Sequence, residues 1–376
     1  MRNLSPLFSG NKNKFLGNLN LTESQKYSIK EAKIKIREHL RSGITQIIKK
    51  EQGIDLSPRF LSQGSAVYKT RNQPCTIPPQ QIDHDLGCYL PLSFHEETRH
   101  PSIAAEVFFN VVDSLLEGII ETEKWQGFES KDTCSRVIVN KQIHIDVPLY
   151  SIPDNEFGLI KESAAQRNFS MDSMSMESLS EDEWEIIKNR VLLAHREMDW
   201  IPSDPRKLNQ YFKYIFENKG EQLRRICRYL KAWRDYKWQC GGGPSSIYLM
   251  ILADSIFQCS IERRDDLALL NVLDNIPNRI AVPIKNPTDY SETIRIKEED
   301  KDNLNIYATE FTRDLKKAIE DPDISSRMAC NLVRNHVGDR FPLDDTLQFV
   351  PRETVLSKPA EFDKNNREPE NRGRAG

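Results

Sequence analysis

Two short segments alternate apolar and charged residues with a period of two: Ile82-Asp83-His84-Asp85-Leu86 and Ile143-His144-Ile145-Asp146-Val147. Successive side chains of a strand point to opposite faces, so residues i and i+2 share one. Asp83 and Asp85 therefore project together from the first strand, with Ile82, His84 and Leu86 on the reverse. In the second strand Ile143, Ile145 and Val147 make the apolar face, which leaves His144 and Asp146 on the other. If the two strands are neighbours, three carboxylates converge. Like charges roughly 5 Å apart repel by about 3 kcal/mol at an effective dielectric near 20. A fold that gathers Asp83, Asp85 and Asp146 therefore calls for divalent metal. Two ions would be bridged by such a set, and hard oxygen ligands select Mg²⁺ or Mn²⁺.

Asp-x-Asp alone also occurs on solvated strand faces and turns, and in metal-dependent glycosyltransferases, where it holds a nucleotide sugar. Gln63-Gly64-Ser65, about eighteen residues upstream, narrows the choice. Gly64 lets backbone approach a phosphate closely, and Ser65 offers a hydroxyl and an N–H, with Ser65 read as the N-cap of a helix to Thr70. Arg136, just before the strand of Asp146, could neutralise phosphate or simply be a surface arginine. A phosphate turn, a same-face acid pair and a distal acid are together the parts of metal-assisted nucleotidyl transfer.

The rest of the chain reads as an α/β portion, then a helical one. Thr22-Glu23-Ser24-Gln25 has capping-box spacing, and Ile29, Ala32, Ile36, Leu40, Ile44 and Ile47 recur at helical period to about Lys50. Arg59–Gln63 and Ile82–Leu90 read as strands, and Arg136–Val139 with Gln142–Val147 as a hairpin. A helix over 103–120 would bury Ala104, Val107, Phe108, Val111, Leu115 and Ile119. The Ser/Met/acid-rich stretch 163–183 reads as a mobile loop. After Pro202 and Pro205 helices dominate, at 205–216, 221–237, 245–261, 267–273, 304–320 and 323–337, with Pro-punctuated loops over 277–300. In the second of these Leu223, Ile226, Leu230 and Trp233 form an apolar stripe, and Arg224, Arg228, Lys231 and Arg234 lie beside it. This is either a phosphate-facing surface or a solvated charged face. Gly241-Gly242-Gly243-Pro244-Ser245-Ser246 then breaks that helix and starts another. The expected divisions are a loose N terminus (1–21), an N-terminal helix and catalytic lobe (22–204), a helical lobe (205–350) and a flexible, charged tail (351–376).

A formal net charge of −3 over 376 residues argues against a chain that binds nucleic acid or membrane with its whole surface. Seven dispersed cysteines without metal-ligand spacing suggest a reduced, cytoplasmic chain with free thiols. No signal-peptide core or membrane span is read in the sequence.

The motifs QGSAVYKT, PPQQIDHDLGCYLP, IHIDVPLY and RRICRYLKAWRDYKW with the following GGPSSI resemble the bacterial cGAS/DncV-like nucleotidyltransferases of anti-phage CBASS defence, the DncV-type cyclic GMP–AMP synthases most of all. The resemblance covers roughly residues 20–260. It implies an α+β fold: a polymerase-β-like lobe with a mixed sheet, a helical lobe, and an active site in the cleft between them. It implies catalytic, metal-binding roles for Asp83, Asp85 and Asp146, and nucleotide contacts from Gln63, Gly64, Ser65, Tyr68 and Arg136. Lys231 and Ser246 match the residues that hold the donor triphosphate. The implied activity joins ATP and GTP into 3′,3′-cyclic GMP–AMP with two metal ions, signalling to a cyclic-nucleotide-activated effector. Two departures stand out. His84 occupies the middle of the Asp-x-Asp where Leu is expected, facing away from the metals with little expected effect. One extra glycine lies between Lys231 and Ser246. The zinc insert of the animal DNA sensor is absent, so double-stranded DNA is not an expected partner. In many such systems the synthase C terminus is conjugated to a target by a ubiquitin-transfer-like enzyme, which assigns that role to Gly376. A different cyclic di- or trinucleotide product, a glycosyltransferase and a non-catalytic nucleotide sensor are the alternatives.

Overall fold

The computed structural model describes residues 1–9, 13–53, 57–92, 101, 103–153, 191–258 and 264–351. The stretch 163–183, the tail beyond 351 and Gly376 lie outside these residues.

A long mixed sheet is built on β2 (Ile82–Leu92) and β5 (Ile143–Pro153), which run parallel with Asp83 opposite His144 and Asp85 opposite Asp146. β1 (Arg59–Gln63) pairs antiparallel with β2, and β4 (Cys134–Asn140) with the first half of β5. β3 (Gly127–Lys131) extends the sheet beyond β4. Where β4 leaves β5, β6 (Leu192–His195) takes its place and carries β7 (Asp199–Pro202). The strands inferred from period-two alternation are therefore neighbours, and the inferred hairpin is β4–β5.

Two short helices, α1 (Ser5–Phe8) and α2 (Phe15–Asn18), and one long one, α3 (Glu23–Gln52), precede this sheet. Thr22 caps α3 with a reciprocal bond to Gln25, and Gly53 ends it at φ 70°. Ile36, Leu40, Ile44 and Ile48 face the sheet; the stripe continues to Ile48 rather than Ile47 because four residues close a turn more nearly than three. α4 (Ala105–Glu123) packs beside it through Phe108, Phe109, Val112 and Leu116. Val107, expected inside, is 41% exposed.

The second half is a helical assembly: α5 (Pro205–Lys219), α6 (Glu221–Lys237), α7 (Ser246–Ile256), α8 (Asp265–Ile280), α9 (Glu298–Glu320) and α10 (Ser326–Val337). The buried stripe of α6 is the expected one, Leu223, Ile226, Leu230 and Trp233. A small hairpin, β8 (Lys285–Asn286) with β9 (Asp289–Thr293), interrupts the expected 277–300 loop, and α8 carries Pro277 within its last turn.

The N terminus is not loose. Leu4, Leu7, Phe8, Phe15 and Leu19 are buried in the helical core. The rings of Phe8 and Phe15 each lie 5.3 Å from Tyr229. The Leu4 N–H donates to buried Asp266 (2.8 Å), and Arg2 donates to the carbonyls of Asp321 and Ile324. The polar composition of residues 1–21 conceals these apolar side chains, and the ring partners of Phe8 and Phe15 include Tyr229 and Phe341, more than 200 residues away.

Candidate active site

Parallel register between β2 and β5 does what parity required. Asp83, His144 and Asp146 offer ligand atoms that all lie within 4.8 Å of one another. Asp85 stands on the same face but outside this set, against Gly64, where a Cβ would come within 2.2 Å of its Oδ2. Parity puts His144 on this face, and its position two residues before Asp146 is the only sign of a task that the sequence carries. Its Nδ1 lies 3.0 Å from Gln81 Oε1, and its Nε2 lies 3.0 Å from Asp83 Oδ1. An imidazole that donates from one nitrogen to an amide oxygen and turns the other toward carboxylates has the arrangement of a metal-binding histidine. Its Nε2 is buried and lacks a well-formed hydrogen bond. The donor set thus fits a divalent cation, with one nitrogen beside the oxygens.

Arg136, across β4 from Asp146, grips that carboxylate with both arms: Nε to Oδ1 at 2.7 Å and Nη2 to Oδ2 at 2.8 Å. The pairing raises the arginine's pKa. Arg136 lines the cleft, yet it holds a site carboxylate rather than standing free.

Loss of water around Asp83 works against its charge, but the close approach of the His144 imidazole and then the Arg136 guanidinium outweigh this and lower its pKa. Asp85 goes the other way. Burial, then the charges of Asp83 and Asp146, push it up to about 8. A carboxyl whose folded pKa is raised favours the folded state while protonated. That contribution is complete below the ordinary value of 3.8 and is lost as pH rises through about 8. A cation that uses Asp85 must expel this proton at lower pH. Mg²⁺ or Mn²⁺ is therefore expected to raise the melting temperature more above about pH 8 than near pH 6. An equal shift at both would mean Asp85 does not meet the cation.

The Gly64–Ala66 segment after β1 is a single 3₁₀ turn rather than a longer helix capped by Ser65. Gly64 has φ +63°, in the left-handed region. Gln63, expected at the nucleotide, is 4% exposed, and its amide is taken by two tyrosines. Its Nε2 lies 2.5 Å from the Tyr89 hydroxyl, and the Tyr150 hydroxyl donates to its Oε1 at 3.2 Å. Tyr68 packs its ring on Phe212, with centroids 4.5 Å apart.

Opposite stands α6. Lys231 is buried, its pKa lowered by that burial to about 8, and its Nζ donates to the Thr70 carbonyl at 2.8 Å. Ser245 caps α7 by accepting from the Tyr248 N–H, and Ser246 follows it, 3.3 Å from Arg234 Nη1.

Two cavities meet here. One of about 630 Å³ is bounded by Ser65, Arg71, Asp83, Arg136, Lys231 and Ser246. The other, about 390 Å³, reaches past Asp204 to Asn286 and Glu292 of the small hairpin. Gly64, Tyr68, Asp85 and Ile247 border both. Each is within the size range of a small-molecule site. The two cavities thus meet at one carboxylate, Asp85, between a sheet and a helical wall.

A sheet-borne acid cluster beside a glycine turn, faced by a cationic helix, defines a nucleotidyltransferase-type cleft. Residues 58–150 match the family model described as cyclic GMP–AMP synthase DncV-like, nucleotidyltransferase domain. Residues 220–349 match that of the cyclic GMP–AMP synthase C-terminal domain. The chain belongs to the DncV-like nucleotidyltransferases. It is 34% identical over 256 residues to a cyclic GMP–AMP synthase of Vibrio cholerae, covering 65% of this chain and 58% of that one. It is 36% identical over 248 residues to one from Escherichia coli, covering 63% and 56%. The matched segments thus span little more than half the length of these relatives. Among solved structures, the Vibrio cholerae DncV cyclic AMP–GMP synthase in complex with the linear intermediate 5′ pppA(3′,5′)pG superposes at TM-score 0.74 and 26% identity. The superposition covers 90% of this chain and 96% of that one. A Vibrio cholerae DncV variant in complex with ATP and GTP superposes at TM-score 0.78 and 24% identity, covering 93% and 100%. No described helix is long and apolar enough to cross a membrane.

Proposed function

We propose that this chain joins two nucleoside triphosphates into a cyclic dinucleotide, with ATP and GTP as substrates and 3′,3′-cyclic GMP–AMP as product. The observation that carries the reading is two adjoining cavities sharing Gly64, Tyr68 and Asp85 at the foot of one carboxylate cluster. One chemical centre serves two nucleotides only if both reach it, and both cavities border Asp85. Asp83, Asp85, His144 and Asp146 would hold Mg²⁺ or Mn²⁺, two ions in all. Bound there, the ions would supply charge for the attacked and leaving phosphate oxygens.

The residues of the chain set the rest. Ser65 and the turn at Gly64 receive phosphate oxygens at the sheet. Lys231 and Ser246 receive the donor triphosphate from the helical side. Asp146, oriented by Arg136, draws the proton from the acceptor 3′-hydroxyl. That oxygen attacks the donor α-phosphate in line, the bond to the β-phosphate breaks, and pyrophosphate leaves. The linear product then turns end for end and repeats the reaction on itself. Positioning and charge neutralisation provide most of the catalysis in such transfers. The product would serve as an anti-phage second messenger for a cyclic-nucleotide-activated effector.

The test is incubation with Mg²⁺ or Mn²⁺ and labelled ATP, GTP, CTP and UTP, followed by phosphatase. A resistant product of one adenylate and one guanylate is expected. A product of other composition would move the substrate choice, and a protein inert toward every nucleotide pair would end the reading.

A further inference from the structure

His84, the departure inside the Asp-x-Asp, is 4% exposed and far from idle. β1 ends in register at Gln63 opposite Asp85, so β2 has no strand on that side at His84. At this edge Nη2 of Arg71 lies 2.6 Å from His84 Nδ1. A guanidinium has no acceptor, so Nδ1 presents its lone pair and the ring proton sits on Nε2, 3.4 Å from Ser62 Oγ. The ring is thereby fixed on both sides, and it fixes the arginine.

Arg71 borders the larger cavity together with Asp83, Asp85, Lys231 and Ser65. Its Nε is buried without a hydrogen-bond partner. The residue before it, Thr70, gives its carbonyl to Lys231, so two cations from opposite walls meet within one residue of backbone. A half-buried, incompletely bonded guanidinium beside an acid cluster lacks an anion of matching geometry, and a polyphosphate supplies one.

We infer that Arg71 binds the triphosphate of the nucleotide held at the carboxylates, and that His84 is the positioning residue that aims it. This rests on the nucleotidyltransferase reading above. It gives the donor pocket a second cation on the sheet side, opposite Lys231.

The experiment compares binding of a non-hydrolysable ATP analogue and of AMP, each with Mg²⁺, to the full chain and its variants. Arg71→Gln is expected to weaken the triphosphate about tenfold, the scale of one charge-assisted hydrogen bond, and AMP less than twofold. His84→Leu should lose part of the same selectivity. His84→Asn, whose Oδ1 can accept near the position of Nδ1, should restore it. In turnover the loss should fall on KM for the triphosphate. Equal binding by wild type and Arg71→Gln, or equal weakening of triphosphate and AMP, would overturn the assignment. Should Arg71→Gln fail to fold, Arg71→Lys decides, since it keeps the charge and loses the planar fork. A wild-type chain that binds no triphosphate would bring down the parent reading as well, which the variants alone cannot do.

Discussion

Asp146→Asn is expected to lower nucleotide joining by about a thousandfold or more, the scale seen when a group acting at the reacting atoms is removed. Asp146 is 9% exposed, faces Asp85 across the β2–β5 ladder, and shares a 4.8 Å cluster with Asp83 and His144. Asparagine keeps the shape but loses the charge that would accept a proton or hold a cation. It also offers Arg136 one oxygen and one NH₂ in place of two oxygens, so one arm of the guanidinium loses its acceptor. That costs about 1–3 kcal/mol for a mostly buried pair. Removing one of three crowded acids offsets part of this. The fold should therefore survive, with a small fall in melting temperature while product formation vanishes. A variant that melts like wild type and retains a tenth of its activity would remove Asp146 from the chemistry.

Gly64→Ala is expected to cost far more in activity than in stability. At φ +63° an alanine is strained by about 1–2 kcal/mol. Its Cβ would also come within 2.2 Å of Asp85 Oδ2. That atom ends a short side chain, so it can rotate aside without unfolding anything, but the rotation takes Asp85 out of the site. Displacing a reacting group by about 1 Å costs about a hundredfold in rate. Thermal melting and product formation measured on one preparation separate the two effects. If activity followed stability alone, the close approach of Gly64 to Asp85 would not matter to the reaction.

The carboxylate face was legible because a strand has a period of two: Asp83 and Asp85 share one parity of β2, and His144 and Asp146 share one parity of β5. The capping box at Thr22 and the stripe of α6 were legible for the same reason: each is a local pattern satisfied by neighbours in the chain. α4 was less so. Val107, Phe108, Phe109, Val111, Val112, Leu115 and Leu116 wrap more than half of the helix, so periodicity does not choose a face and the sheet does. Residues 1–21 carry too few apolar side chains to imply a core of their own, and they gain one only by docking on Tyr229 and Phe341.

The site divides along the same line. Which residues carry charge, which face of a strand they take, and that a cation must join them follow from residue types and spacing. The destinations of Gln63 and His84 do not. Gln63 turns its amide to Tyr89 and Tyr150, and His84 reaches the edge of β2 to hold Arg71. Both depend on partners that no short-range pattern brings together. Local chemistry determined the acids, whereas only the tertiary structure decided what aims the groups around them, because hydrogen bonds between distant segments exist only once the chain has folded.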